Sequence, residues 1–323
     1  MSPRSRRARR QQARAAERHG QTQPRTGLAA WVGEPPDVLF VVLLIFALGL
    51  RAYYFTLTKD QPLWWDEAEY MLKAKALALG TPDTGWWEAR PILLPFLGAG
   101  LLTIGLGEVT IRLAWIVLST ATLALIYRIS TILFNKRVGV CAVALASVSY
   151  IDVFYAMRIL VDGPQVFFVT LAALLMVSSQ YAKGGRYGAG AVFPVLVVGV
   201  ALRFTAAIFV PVVVAFLLAT RGMAALKARA WHVSVALGVL VALPMLLYFW
   251  HLYGNPFHPF FSHMVLRGPL SSGGGPSTLT TEVFMQYVRF LPDYTAPILV
   301  AAFAAGLIEA RSEERRVGKE CRL

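Results

Sequence analysis

The sequence predicts an all-α polytopic membrane protein, and three observations carry that prediction. Hydrophobic residues make up 57% of the 323 and charged residues only 15%, where soluble domains hold about 45–50% and about 25%. Eight apolar runs recur along the chain, and the long ones reach the roughly 20 residues that a helix needs to cross a bilayer. Short net-positive loops separate some of these runs and carboxylate-bearing loops the others. The composition excludes a soluble enzyme, a disordered protein and a disulfide scaffold.

Residues 1–37 show no apolar period. Within the first 25, eight Arg stand against Glu17 alone, contributing +7 of the formal +13. Such a tail is expected to be disordered. Because it leads straight into a hydrophobic run, it should hold the cytoplasmic side at the lipid surface rather than bind nucleic acid. The run 38–57 can span, and no small-residue cleavage site follows it, which argues against a signal peptide. The run 91–107 carries two Pro and four Gly in 17 residues and reads as an interfacial or re-entrant helix. If it crossed, the basic loops Lys136/Arg137, Lys183/Arg186 and Arg221/Lys227/Arg229 would all face outward, against the positive-inside rule.

The runs 113–134, 138–156, 163–182 and 232–250 read as spans. The run 187–220 is too long for one helix and is interrupted by Arg203, so two short spans should meet there. With 296–310 as a further helix, residues 38–310 are expected to form one module of about eight transmembrane helices, with interfacial helices in the first extracytoplasmic loop. The end, Arg311-Ser-Glu-Glu-Arg-Arg-Val-Gly-Lys-Glu-Cys321, resembles an in-frame translation of a DNA-sequencing adapter. Residues 311–323 are therefore expected to be an artefact and the native chain to continue past 310. Of Cys141 and Cys321, only Cys141 then counts, so no internal disulfide is expected.

This topology sorts the carboxylates. Asp60, Asp66, Glu67, Glu69, Asp83, Glu88, Glu108, Asp162, Glu282 and Asp293 fall outside; Glu17, Glu34 and Asp37 fall inside; Asp152 lies within a span. The chemistry should therefore be extracytoplasmic. Asp66 and Glu69 are three apart on one helical face, with Tyr70 following and Trp64, Trp65, Trp86 and Trp87 as interface anchors. The plainer reading makes Asp66 an N-cap and its neighbours a solvated first turn. Arg158 and Asp162 sit in a tight outer turn, either paired with each other or offering a cation to a phosphate. Arg203, a lone charge between two apolar helices, needs a carboxylate, water or an anion and is a functional candidate by default; Asp152, inside a span, has the same standing or else only pairs with a basic neighbour. His251, His258 and His263 match no zinc spacing; turn formation and aromatic packing around Gly254-Asn-Pro-Phe257 suit that loop better.

Together, Trp64-Trp-Asp66-Glu67-Ala-Glu-Tyr70, Glu88-Ala-Arg90-Pro91, Glu108-Val-Thr-Ile-Arg112, Arg158…Asp162 and Gly254-Asn-Pro-Phe257 resemble the GT-C glycosyltransferases. The nearest group is that of the protein O-mannosyltransferases and aminoarabinose (lipid A) transferases. The likeness runs through most of 38–310. It implies an inverting transfer from a polyprenyl-phosphate sugar to an extracytoplasmic acceptor, with Asp66 at the position of the family's catalytic or acceptor-binding carboxylate. Many members carry Lys where this chain has Arg90 and Arg203, which keeps the charge but not the geometry. The resemblance also implies further C-terminal spans and a domain, so the fragment alone is expected to lack part of the machinery.

The chemistry is consistent with that resemblance. A lipid-phosphate leaving group departs with negative charge, which Arg90, Arg158 or Arg203 would stabilise. Asp66 can take the acceptor's proton, Glu67, Glu69 or Glu88 can orient acceptor or sugar, and Asp162 and Tyr70 support the site. No cofactor is required; a divalent metal could sit at Asp66 and Glu69, but Arg supplies the charge without it. The expected partners are the sugar donor, the bilayer, and a protein, glycolipid or wall-polymer acceptor, in a multi-pass plasma-membrane protein. Two alternatives are a transporter or lipid flippase, for which midplane charges and repeated halves are expected but not seen, and a non-catalytic membrane subunit.

Overall fold

The computed structural model describes residues 38–82, 86–88, 90–181, 185–267, 285 and 289. The basic tail, the run 296–310, the segment 311–323, and Asp83, Lys183, Glu282 and Asp293 lie outside the described residues. Among the described residues all regular structure is helical. The α-helices are α1 Val38–Thr58, α2 Trp65–Leu79, α3 Leu93–Thr103, α4 Glu108–Leu133, α5 Lys136–Ser147, α6 Tyr150–Ala156, α7 Asp162–Tyr181, α8 Val192–Leu202, α9 Phe209–Arg221, α10 Arg229–Tyr253 and α11 His258–Arg267. Short 3-10 segments, Gly185–Ala191, Phe204–Ile208 and Gly222–Lys227, join several of them.

Four helices, α1, α4, α7 and α10, are long and apolar enough to cross a membrane, and α5 with α6 makes a fifth crossing if the pair, bent by 64°, is one span. The count among the described residues is thus four or five, where about eight were expected. The difference lies partly in 187–220, which divides at Arg203 into two shorter apolar helices. It lies also in the run 296–310, which falls outside the described residues. Helix α3, not one of the eight, has 11 residues that reach only about 16 Å, short of the roughly 30 Å hydrocarbon core. An 11-residue helix suits the interfacial or re-entrant reading of 91–107.

The centre of the bundle is α4 and α7, each 44% buried along its apolar window, against 17% for α1 and α10. Their outward faces are Val- and Leu-rich, as lipid contact requires. One apolar cluster matters most for function. Tyr70, Met71, Leu94, Ile111, Trp115, Ile159, Val161 and Leu202 bring α2, α3, α4, the α6–α7 turn and α8 into a single packed layer. The α2–α3 crossing is close because of Gly98: a Cβ there would lie 2.9 Å from the Ala74 Cβ. Gly80, at φ +67°, ends α2 in the left-handed conformation that glycine adopts without strain.

Hydrogen bonds fix which helix ends meet. The Trp115 indole N–H donates to Leu160 O at 2.7 Å, and Arg112 Nη1 donates to Thr58 O at 3.1 Å. The end of α1, the start of α4, the α6–α7 turn and α2 therefore share one rim. Lys136, Arg137, Lys227 and Arg229 begin helices or lie beside them at the opposite end. Deeper in the bundle the fully enclosed Arg51 pairs with Asp152, and its Nε donates to Ser119 Oγ at 2.8 Å. This supplies the basic neighbour that Asp152 needs and ties α1, α4 and α6 together.

Candidate functional site

The site begins with the local folding of α2. Trp64 is the N-cap, in extended conformation, and its N–H donates to Glu67 Oε2 at 2.8 Å. An indole cannot return the favour, so only half of a capping box forms. The plainer sequence reading, with Asp66 as N-cap and Glu67 solvated, is corrected: Glu67 has no exposure and takes the capping task. Its other oxygen accepts from the Ile159 N–H at 2.6 Å, and Arg158 Nη1 stands 3.5 Å from Oε2. Asp66, relieved of capping, projects from the rim with 56% of its side chain exposed.

Arg90 approaches from the loop before α3. Its Nη2 lies 2.9 Å from Asp66 Oδ1 and 2.9 Å from Glu69 Oε2. The guanidinium also stands over the rings of Tyr70 at 5.5 Å and Trp87 at 5.8 Å. Burial alone would lower the Arg90 pKa, but the hydrogen bond and charge of Asp66 outweigh it and hold it above the ordinary arginine value. Burial, opposed by Arg90 and aided by Asp66, raises the Tyr70 phenol above its usual range, so it stays neutral. Tyr70 also meets Trp86 edge-on at 6.1 Å, and Lys73 lies over that indole at 5.7 Å. The aromatic loop is thereby laid on α2.

The apolar run that breaks at Arg203 supplies the second cation. Arg203 is extended, closing α8 and opening the 3-10 segment, and its guanidinium pairs with Asp162 at the start of α7. The alternative that Arg158 and Asp162 pair with each other is therefore not realised. Arg158 is 4% exposed, stacked 4.0 Å from the Trp64 ring, with Nη2 donating to Gln61 Oε1 at 2.9 Å. Burial, opposed by Glu67 and reinforced by Arg112, holds its pKa below the ordinary arginine value.

Two hollows adjoin the Asp66–Arg90 pair. The first, about 280 Å³, is lined by Tyr70, Trp87, Asp162, Arg203 and Thr205 with an apolar floor of Pro91, Leu160, Val161 and Phe204. The second, about 460 Å³ and more open, is lined by Trp64, Trp65 and Leu160. Asp66 and Arg90 belong to both. Of the sequence candidates, Asp66, Tyr70, Arg90, Asp162 and Arg203 come together, with Glu69 behind Arg90. Glu67 and Arg158 are enclosed beneath the site. Glu88 stands apart, half exposed, 3.4 Å from His258 Nε2; the Tyr253 ring stacks on His258 at 4.7 Å, and the 254–258 turn is closed by Asn255 Oδ1 accepting from the Phe257 N–H at 2.9 Å.

Among the described residues no three His, Cys, Asp or Glu side chains converge as a metal site would require; Asp66 and Glu69 converge on Arg90 instead. Sequence reasoning read Trp87 as an interface anchor, and it walls a hollow. It passed over Arg51 and gave Arg112 no role. A charge inside an apolar run was the available signal for Arg51.

Carboxylate, guanidinium and apolar floor at a helix-bundle rim suit a reaction that moves a proton while an anion departs. Residues 89–248 match the family model of the dolichyl-phosphate-mannose-protein mannosyltransferases. Over these residues the chain belongs to that family. It is of the GT-C type, as the sequence resemblance implied, and membership makes this a membrane protein of glycosyltransferase kind. The matched stretch contains Arg90, Arg158, Asp162 and Arg203; Asp66, Glu67, Glu69, Tyr70 and Glu88 precede it. Neither the search of curated proteins nor that of solved structures found a match.

Proposed function

We propose that the protein transfers a sugar from a polyprenyl-phosphate donor to an acceptor hydroxyl on the extracytoplasmic side of the plasma membrane, with inversion. The observation that supports this most is the position of Asp66 and Arg90 as the common wall of two hollows, one of which contains a second cation. The donor headgroup takes the first hollow, its phosphate against Arg203 and Arg90 and its isoprenoid along the apolar floor. The acceptor takes the second, beside Trp64 and Trp65.

In the reaction the acceptor oxygen bonds to the anomeric carbon as the bond from that carbon to the phosphate oxygen breaks. The acceptor proton goes to Asp66, and the electron pair leaves with polyprenyl phosphate. Developing charge on the phosphate meets guanidinium groups in a partly dry hollow, where such stabilisation is strongest. Attack from the side opposite the leaving group inverts the anomeric centre without a covalent enzyme intermediate. Arg90 supplies the positive charge between Asp66 and Glu69, so the reaction needs no metal there. Glu69 fixes Arg90, and Glu88 with His258 places the last outer loop beside the first.

The test uses full-length protein in liposomes with radiolabelled polyprenyl-phosphate mannose and source-cell membranes as acceptor. The expected result is label in the acceptor fraction and an equal amount of free polyprenyl phosphate. Donor crossing the bilayer intact would instead identify a flippase, and neither outcome would leave a non-catalytic subunit; both overturn the proposal.

A further inference from the structure

Glu67 and Arg158 take no part in the chemistry above, yet among the described residues they form a deeply enclosed ion pair at the rim. Glu67 has no exposure and Arg158 4%. Burying such a pair is costly and gives little net stability by itself, so its geometry invites another explanation. The two oxygens of Glu67 accept from backbone N–H groups of two separate segments: Trp64 at 2.8 Å, which opens α2, and Ile159 at 2.6 Å, in the α6–α7 turn. Asp66 lies two residues from the first point; Leu160 and Asp162 follow the second, and both line the first hollow. Arg158 braces the carboxylate from behind, held by Gln61 and the Trp64 ring.

We infer that Glu67 is a positioning residue: a strap that sets the distance from Asp66, the base, to the Asp162–Arg203 side of the donor hollow, with Arg158 as its brace. The inference rests on the proposed function, since it gives Asp66 and Arg203 their roles. Gln at 67 can accept only one of the two N–H bonds and turns a donor toward the other. The strap then opens without altering any group that faces the hollow. A misplacement of about 1 Å between reacting groups costs on the order of 100-fold in turnover, whereas phosphate affinity depends on the arginines.

The experiment compares Glu67→Gln, Arg158→Met and Asp66→Asn in full-length protein. Binding of sugar-free polyprenyl phosphate is titrated by tryptophan fluorescence, and its stoichiometry counts folded sites. Turnover is then expressed per site. Glu67→Gln is expected to lower kcat per site about 100-fold with donor KM and polyprenyl-phosphate affinity within about threefold. Arg158→Met keeps both backbone bonds to Glu67 and should lose less than about tenfold. Should Glu67→Gln fail to reach the membrane, Glu67→Asp, too short to bridge Trp64 and Ile159, is read in its place.

Turnover per site within about threefold of the parent, or equal losses for Glu67→Gln and Arg158→Met, overturns the strap. Full activity in Asp66→Asn overturns the proposed function instead. An inactive Asp66→Asn beside a fully active Glu67→Gln removes the strap alone.

Discussion

Removing the Arg203 guanidinium should weaken binding of polyprenyl phosphate by about 30-fold, from the following magnitudes. A unit charge about 4 Å from a phosphate at an effective dielectric of about 20 contributes about 4 kcal/mol. The Arg203 side chain is 40% exposed, so water screens much of this and about 2 kcal/mol remains. That is roughly 30-fold in Kd. Asp162 works against the ligand, because the guanidinium must loosen from its carboxylate to meet a phosphate. A pair this exposed is worth up to about 1 kcal/mol, so Asp162→Asn should tighten binding by as much as about fivefold. Arg203→Lys should fall between, keeping charge but losing the planar fork. The assay is titration of tryptophan fluorescence with sugar-free polyprenyl phosphate in nanodiscs. Arg203→Ala within twofold of the parent, or Asp162→Asn weaker than the parent, would refute the reasoning.

Two further expectations follow from packing and orientation. Gly98→Ala places a methyl 2.9 Å from the Ala74 Cβ, and overpacking of this kind costs about 1–3 kcal/mol. The melting temperature in detergent should fall, and Ala74→Gly in the same chain should restore it; no recovery would mean that α2 and α3 are not in this contact. Trp65→Cys, in a chain lacking Cys141 and Cys321, should react with a membrane-impermeant maleimide on intact cells. Labelling only after permeabilisation would put the rim on the cytosolic side.

What was legible in the sequence, and what was not, follows from the range of the interactions involved. Apolar length and Pro–Gly content depend on residues close in sequence, so the helical class, the break at Arg203 and the short helix in 91–107 could be read directly. Span count could not, because a run such as 187–220 does not reveal whether its pieces cross. The gathering of Asp66, Arg90 and Arg203 was legible as charge on one side. Partner choice was not, since Arg158 sits four residues before Asp162 yet pairs with Glu67, 91 residues earlier. Capping was misread for a related reason: Asp66 is a good N-cap by type, but the enclosed turn at Ile159 draws Glu67 inward and Glu67 caps instead. Arg51 stood out as a charge inside an apolar run, but its partners, Ser119 and Asp152, come from two other helices and could not be read.

The central claim is that Asp66 takes the acceptor's proton between two substrates, and single-turnover transfer by Asp66→Asn tests it most directly. Asparagine keeps the size and the rim position but cannot accept that proton. With radiolabelled polyprenyl-phosphate mannose prebound, transfer should fall by about 1,000-fold or more while donor affinity changes by less than about threefold. Transfer at the parental rate with bound donor would contradict the account.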